Sequence, residues 1–216
     1  MNSYYSDTLY PLQDKVLQVI DELQTPFYLT GGTALSRGYF GHRYSDDLDL
    51  FVNKDDKFRF YAEKIVEKLM EKFEVEVILR SDSYFSLKIN QLLKVEMVND
   101  VAFRDGEVQK KPIFSRVDSV QNILSNKLSA IISRDEPKDV VDIWVISKNF
   151  SVKWPQMFQA VGSKTVGIFP PDVAKRLAEF PAELVKVIKW VPGKQPEAAQ
   201  FKSDLDGICD AMLRVE

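Results

Sequence analysis

The stretch that decides the reading runs from Tyr28 to Val52, YLTGGTALSRGYFGHRYSDDLDLFV. Phe27-Tyr28-Leu29 is apolar and predicts a buried strand. Gly31-Gly32 follow at once, and Thr33 to Phe40 have the look of a short helix. After a polar turn over 41–45, Asp47-Leu48-Asp49-Leu50-Phe51 alternates carboxylate with hydrocarbon. On a strand, alternation sends Asp47 and Asp49 to one face and Leu48 and Leu50 to the other. Neighbouring carboxylates repel, and burial worsens the repulsion, so such a pair asks for a cation. Glycines at a helix N-terminus offer backbone N–H groups to a phosphate. A phosphate cradle beside cation-binding carboxylates is equipment for chemistry on a nucleoside triphosphate.

Composition narrows the classes. The chain has 216 residues, 45% of them hydrophobic and 28% charged, enough to bury a core in one large domain or two small ones. No apolar run approaches the roughly 20 residues a membrane-spanning helix needs. The N-terminal MNSYYSDTLYPLQDK lacks the layout of a signal peptide. Cys209 is the single cysteine, which excludes an internal disulfide and a cysteine-based zinc cluster. A cytoplasmic location is the expectation. The net charge of −3 argues against a protein that coats nucleic acid, although residues 120–195 hold 11 Lys/Arg against 7 Asp/Glu. That excess of +4 is enough for a local patch facing an anionic partner, or for an ordinary solvated surface.

Upstream of the opening stretch, Leu12 to Leu23 carries a helical stripe closed by Gln24-Thr25-Pro26. Downstream, Lys54 to Phe73 predicts an amphipathic helix with Phe60, Ile65, Leu69 and Phe73 among its apolar positions. Strands are expected at 75–79, 84–89 and 93–98, with turns at 80–83 and at Asn90-Gln91. Arg104-Asp105-Gly106 reads as a turn, and 107–114 as a loose hairpin arm. From Ser119 the pattern is helical: 120–133, 137–148, 154–161, 171–180, 183–190 and 197–213, several opening on proline. The expectation is an α/β (α+β) fold: a mixed-sheet core over residues 1–118, then a helical domain over 119–216.

Three constellations can carry chemistry. Mg²⁺ prefers oxygen ligands and uses one or two carboxylates plus substrate phosphates, which Asp47 and Asp49 suit. Two-metal transfer also wants a carboxylate to activate the attacking hydroxyl. Glu96, in Leu93-Lys94-Val95-Glu96-Met97, is the candidate, with an exposed strand position as the plain alternative. In the second group, Arg43 can clamp a phosphate. Ser45 can bond a triphosphate oxygen or cap the turn. His42 is a candidate base, or merely structural. In the third, Lys127 and Arg134 share a helix face, as Asp139 and Asp142 share the face of the next helix. Interhelix salt bridges are the plain reading. Asp142, flanked by Val140, Val141, Ile143 and Trp144, needs a cationic partner, for which Lys127 or Arg134 is the choice. A lysine so placed can also bind a triphosphate.

Taken as a set, Gly31-Gly32-Thr33-Ala34-Leu35, His42-Arg43-Tyr44-Ser45, Asp47-Leu48-Asp49-Leu50-Phe51, Lys127 and Lys138-Asp139-Val140-Val141-Asp142-Ile143-Trp144 resemble the AbiEii-type nucleotidyltransferases. These are the toxin component of bacterial type IV toxin–antitoxin and abortive-infection systems, and include the MenT-like tRNA-modifying toxins. The resemblance implies a polymerase-β-like core, Mg²⁺ (with Mn²⁺ as an alternative) and a nucleoside triphosphate donor. It places metal on Asp47 and Asp49, and nucleotide near Gly31, Gly32, Thr33, Arg43, Ser45, Lys127 and Arg134. Lys127 and Asp142 complete the catalytic set. It also implies an antitoxin partner, and an acceptor that is most simply a tRNA 3′ end. Lys138 stands where the pattern usually has arginine, and lacks the planar fork of a guanidinium. Two alternatives stay open: transfer to a small molecule such as an antibiotic, or to a protein, and a silent nucleotide-binding module.

Overall fold

In a computed structural model that describes residues 3–214, the chain divides into two compact units. The first comprises residues up to Ala102 together with Glu107–Asp118. The second comprises Phe103–Gly106 and everything from Ser119 onward.

The first unit is a seven-stranded mixed sheet with helices. A π-helical turn, Tyr5–Leu9, leads into α1 (Tyr10–Glu22), which is followed by β1 (Tyr28–Thr30), α2 (Gly31–Leu35) and a second π-helical turn, Ser36–Phe40. β2 (Leu48–Asn53), α3 (Phe58–Met70), β3 (Val75–Arg80), β4 (Tyr84–Ile89), β5 (Leu93–Asp100), β6 (Gln109–Lys111) and β7 (Phe114–Val117) complete it. The strand order is β3-β4-β5-β2-β1-β7-β6. β2 runs antiparallel to β1 but parallel to β5, and β1 runs parallel to β7. The expected α/β fold with a mixed sheet is therefore present.

Alternation in β2 and β5 fixes this sheet's two faces. Leu48, Leu50, Val95 and Met97 are fully buried, while Asp49 and Glu96 are half-buried on the other face. Each such apolar side chain contributes about 1.5–3 kcal/mol by leaving water. A shift of one residue in register would put the carboxylates in the core, so the register is strongly held. α1 buries Val16, Leu17, Val19 and Ile20; α3 buries Phe58, Ala62, Ile65, Val66 and Leu69.

Three local expectations differ from what is found. Phe60 is not on the buried stripe of α3: it is 64% exposed, because Phe58 and Ala62 occupy the inward positions around it. The hairpin after Arg104 is no loose arm, since β7 adds to the sheet through Leu29↔Val117. The segment at 183–190 is not an α-helix but a 3₁₀ turn over Ala182–Val187, preceded by Pro181. A tight 3₁₀ run of this kind is used in short connectors.

The second unit is helical: α4 (Val120–Ser133), α5 (Pro137–Asn149), α6 (Trp154–Gly162), α7 (Pro170–Ala178), the 3₁₀ turn and α8 (Ala198–Leu213). Ser119 caps α4 by accepting a hydrogen bond from the Asn122 N–H. α5, α6 and α7 each carry proline in their first two positions. Asp204 of α8 ties α5 in place by accepting from Trp144 Nε1 and Lys148 Nζ, both at 2.9 Å. Burial alone would raise the Asp204 carboxyl, but the bonds from Lys148, Trp144 and Gln200 outweigh it and hold the group below the usual carboxylate range. Among the described residues no helix is long and apolar enough to cross a membrane.

Candidate active site

β1 ends where the first unit becomes polar. Thr30 lies opposite Asp49 in the antiparallel ladder. At the next residue the chain turns sharply: Gly31 has φ +68°, the left-handed region that favours glycine. A Cβ at Gly31 would lie 2.3 Å from Asp49 Oδ2, so the backbone passes directly beside that carboxylate. Gly32 is equally confined, by Arg43 Nη2 at 2.5 Å and Ser45 Oγ at 3.0 Å from the position of a Cβ. The two glycines thus serve different neighbours, the first a carboxylate and the second a guanidinium and a hydroxyl.

The loop before β2 is fastened from several sides. Thr33 Oγ1 donates to the Asp47 carbonyl at 2.5 Å, and the Ser36 hydroxyl donates to the Arg43 carbonyl. Gln13 Nε2 donates to the carbonyls of Ser45 and Asp46 at 3.1 and 3.0 Å. Tyr5 stacks on Tyr44 with centroids 4.1 Å apart, and its hydroxyl donates to Asp46 Oδ1 at 2.6 Å. His42, Arg43 and Ser45 are all buried. Arg43 Nη1 donates to the Tyr44 carbonyl at 3.0 Å. These residues shape the turn that delivers Asp47 and Asp49 to the start of β2.

Beside Asp49 on β5 stands Glu96, directly across the parallel ladder. Its Oε1 accepts from the Tyr84 hydroxyl on β4 and from Lys94 Nζ at 2.8 Å. The Lys94 ammonium is held above its ordinary pKa, chiefly by that bond to Glu96, with Asp47 acting in the same sense. The Tyr84 hydroxyl is raised too, by burial first and then by the adjacent carboxylate. Tyr84 becomes a neighbour of Glu96 only through the pairing of β4 with β5, whereas Lys94, two residues from Glu96 on β5 itself, shares its face by strand alternation.

Another residue whose part emerges only from the fold is Asp118. Fully buried at the end of β7, it accepts from Thr30 Oγ1 at 2.6 Å, and its carbonyl accepts from the Tyr39 hydroxyl at 2.6 Å. Burial, with the Asp118 charge nearby, pushes the Tyr39 hydroxyl up to about 12. Asp118 therefore braces the strand end from which Gly31 turns. Its spacing in the sequence gives no hint of this, since it lies 88 residues from Thr30.

In the second unit, Lys127 is almost wholly buried and reaches Asp139 Oδ1 at 2.6 Å and Asp142 Oδ2 at 2.7 Å. Arg134 Nε meets Asp139 Oδ2 at 2.7 Å, with its side chain half exposed. Both aspartates have no exposure. Burial pushes the Asp139 carboxyl up, but Lys127 and Arg134 together overcome it and leave the group below the usual carboxylate range. The four groups sum to no net charge, which is how a buried ionic cluster is tolerated. The cationic partner that Asp142 requires is Lys127. Lys138 is exposed on the same helix.

Divalent-metal fit can be judged from the donors alone. Among the described residues no group of three or more His, Cys, Asp or Glu is arranged to hold a metal ion. Two carboxylates at one strand start, with the remaining positions left to water and substrate phosphate, suit a hard cation of the Mg²⁺ kind rather than a closed structural site.

Residues 16–205 match the family model "Nucleotidyl transferase AbiEii toxin, Type IV TA system". The chain belongs to that AbiEii family. It is accordingly an enzyme of the nucleotidyltransferase class, a class that works with nucleotide substrates and generally uses divalent metals. It is 29% identical over 185 residues to the uncharacterised protein aq_aa25 of Aquifex aeolicus (strain VF5), covering 81% of this chain and 84% of that protein. Among solved structures, the nucleotidyltransferase toxin MenT4 (Rv2826c) of Mycobacterium tuberculosis H37Rv has a TM-score of 0.67 at 15% identity, covering 99% of this chain and 86% of that one. JHP933 of Helicobacter pylori has a TM-score of 0.62 at 19% identity, covering 95% and 92%. At these identities the two structures share the fold with this AbiEii chain.

Proposed function

We propose that this AbiEii protein is a Mg²⁺-dependent nucleotidyltransferase that moves a nucleotidyl group from a nucleoside triphosphate to an RNA 3′ end, tRNA being the expected acceptor. In this reading it acts in the cytoplasm as the toxin of a toxin–antitoxin pair. The observation that carries it is the close approach of Gly31 to Asp49: a left-handed glycine brings backbone within contact of one carboxylate of a half-buried pair. Together with family membership, this favours a triphosphate lying along the Gly31-Gly32-Thr33 backbone against cations on the Asp47–Asp49 face.

Asp47 and Asp49 would hold Mg²⁺, which when bound screens charge on the triphosphate and favours in-line attack at the α-phosphorus. The acceptor 3′ oxygen forms the new bond to phosphorus, and the bond to pyrophosphate breaks. Glu96 would take the acceptor's proton, its carboxylate oriented by the bonds from Lys94 and Tyr84. Arg43 and Ser45 act by shaping the turn under Gly32, and through it the phosphate cradle. Lys127 and Asp142 enter as a buried ion pair, with Asp139 and Arg134 balancing its charge.

The test is incubation of purified protein with each labelled triphosphate, Mg²⁺ and total RNA, with Asp49→Ala as control. Labelled RNA from the native protein and none from Asp49→Ala is the expected outcome. Labelling that persists in Asp49→Ala would sink the mechanism. Labelling of protein but not RNA would move the acceptor to another class.

A further inference from the structure

The second unit holds an open cleft of about 500 Å³, walled by the 103–106 segment, the first turn of α4, the α5–α6 connection and α6. We propose that this cleft receives an unpaired nucleobase of a single-stranded RNA. The proposal rests on the reading of RNA as acceptor and gives that acceptor a place to dock.

The lining is what a base requires. Phe103 is 37% exposed despite being a large hydrocarbon ring, and Phe150 is half-buried on the same cleft. Phenyl rings stack on any base, since every base has a π-face. Gln121, Gln156 and Gln159 stand on the walls. A glutamine amide both donates and accepts, which matches the mixed donor and acceptor pattern along a base edge. Lys153 offers an ammonium to a backbone phosphate and offsets the Asp105 carboxylate on the same lining. The volume falls in the range of small-ligand sites and suits one nucleotide rather than a helix or strand of protein. A base inside a duplex cannot reach such a cleft, so the ligand must be unpaired.

Fluorescence anisotropy with a short fluorescein-labelled single-stranded RNA, and with the same sequence as a duplex, tests the assignment in the full-length Asp49→Ala background. The single strand should bind more tightly than the duplex. Phe103→Ala and Phe150→Ala should each weaken single-strand binding by about tenfold, as expected for losing one stacking partner. Gln156→Ala, at an exposed position, should alter the preference among homopolymer strands. The melting temperature of every variant should stay close to that of the Asp49→Ala parent, which reports an intact fold. Unchanged RNA affinity in both Phe103→Ala and Gln156→Ala, or equal affinity for single strand and duplex, would overturn the proposal. In the native background the two readings separate. RNA labelling with an unaltered KM for RNA in Phe103→Ala and Gln156→Ala removes the cleft and keeps the acceptor. Native protein that neither binds nor labels RNA removes both.

Discussion

Asp49 lies on a half-buried strand face, with glycine backbone pressed against it and another carboxylate, Glu96, as its cross-strand neighbour. Asp142 lies in a helix with no exposure and takes the Lys127 ammonium at 2.7 Å. The first arrangement sets carboxylates on neighbouring strands of a half-buried face, which under the proposed function receives a cation. The second cancels its charge internally, with two anions and two cations in one cluster. Both regions carry paired aspartates, and the difference lies in what the neighbouring element supplies. The strand beside β2 brings a further carboxylate with its own lysine, Lys94, on it, whereas α4 and its C-cap bring Lys127 and Arg134 directly onto the aspartates of α5.

The sharpest way to break this comparison is to remove one charge from each region. Asp49→Ala should lower transfer by at least about 10³-fold, the consequence of losing several kcal/mol of charge stabilisation. It should cost far less stability than Lys127→Ala, because Asp49 stands on a half-buried face and not in a fully buried ion cluster. Steady-state rates and a melting curve on one preparation check both halves.

Lys127→Ala should do the reverse in stability, costing about 3–5 kcal/mol, since it strands two buried carboxylates without their ammonium. Urea unfolding would measure it. A Lys127→Met, Asp139→Asn, Asp142→Asn triple variant should recover a substantial part, and no recovery would mean that the cluster does more than balance charge.

Gly31→Ala tests the first region from the backbone side. The methyl would meet Asp49 Oδ2 at 2.3 Å in a conformation unsuited to alanine, so a loss of about 1–3 kcal/mol is expected together with reduced turnover. Gly41→Ala shares the left-handed strain, at φ +59°, but has open space around it. It should lose stability while keeping more activity than Gly31→Ala.

Acid should weaken the second region through Asp139. Its folded pKa lies below the ordinary value of 3.8 and so below that of the unfolded chain. Its contribution is therefore fully present above about pH 4 and is lost as pH falls through the lower, folded value. Melting temperatures from pH 7 down to pH 3 should show this loss. Asp139→Asn should flatten the profile at its acid end.

Phe60→Lys should change least, within about 0.5 kcal/mol, because the ring stands outside the packed face of α3.

Much of this was legible in the chain itself. Alternation at Asp47-Leu48-Asp49-Leu50 placed the carboxylates on one face, because the strand period of two leaves no other arrangement once leucine is buried. The opening prolines and Ser119 marked the helices of the second unit, α4 beginning at the residue after its cap. Phe60 misled because hydrophobicity alone does not say which of several apolar residues faces inward. The segment at 183–190 misled because its apolar spacing suits either helix type, and the 3₁₀ turn was settled by packing.

What the sequence determined by itself was local: the glycine turn, the carboxylate pair, the helical run and the need of Asp142 for a cation. The long-range neighbours came from tertiary structure alone: Glu96 beside Asp49, Tyr84 upon Glu96, Asp118 under Thr30, and Phe103 with Phe150 on one cleft. The physical reason is that periodicity fixes which face a side chain takes, while its neighbours on that face come from strand register and helix packing across dozens of residues. The Gly31–Asp49 contact belongs to both kinds. The residue types announce a turn and an acid, and the ladder between β1 and β2 brings them together.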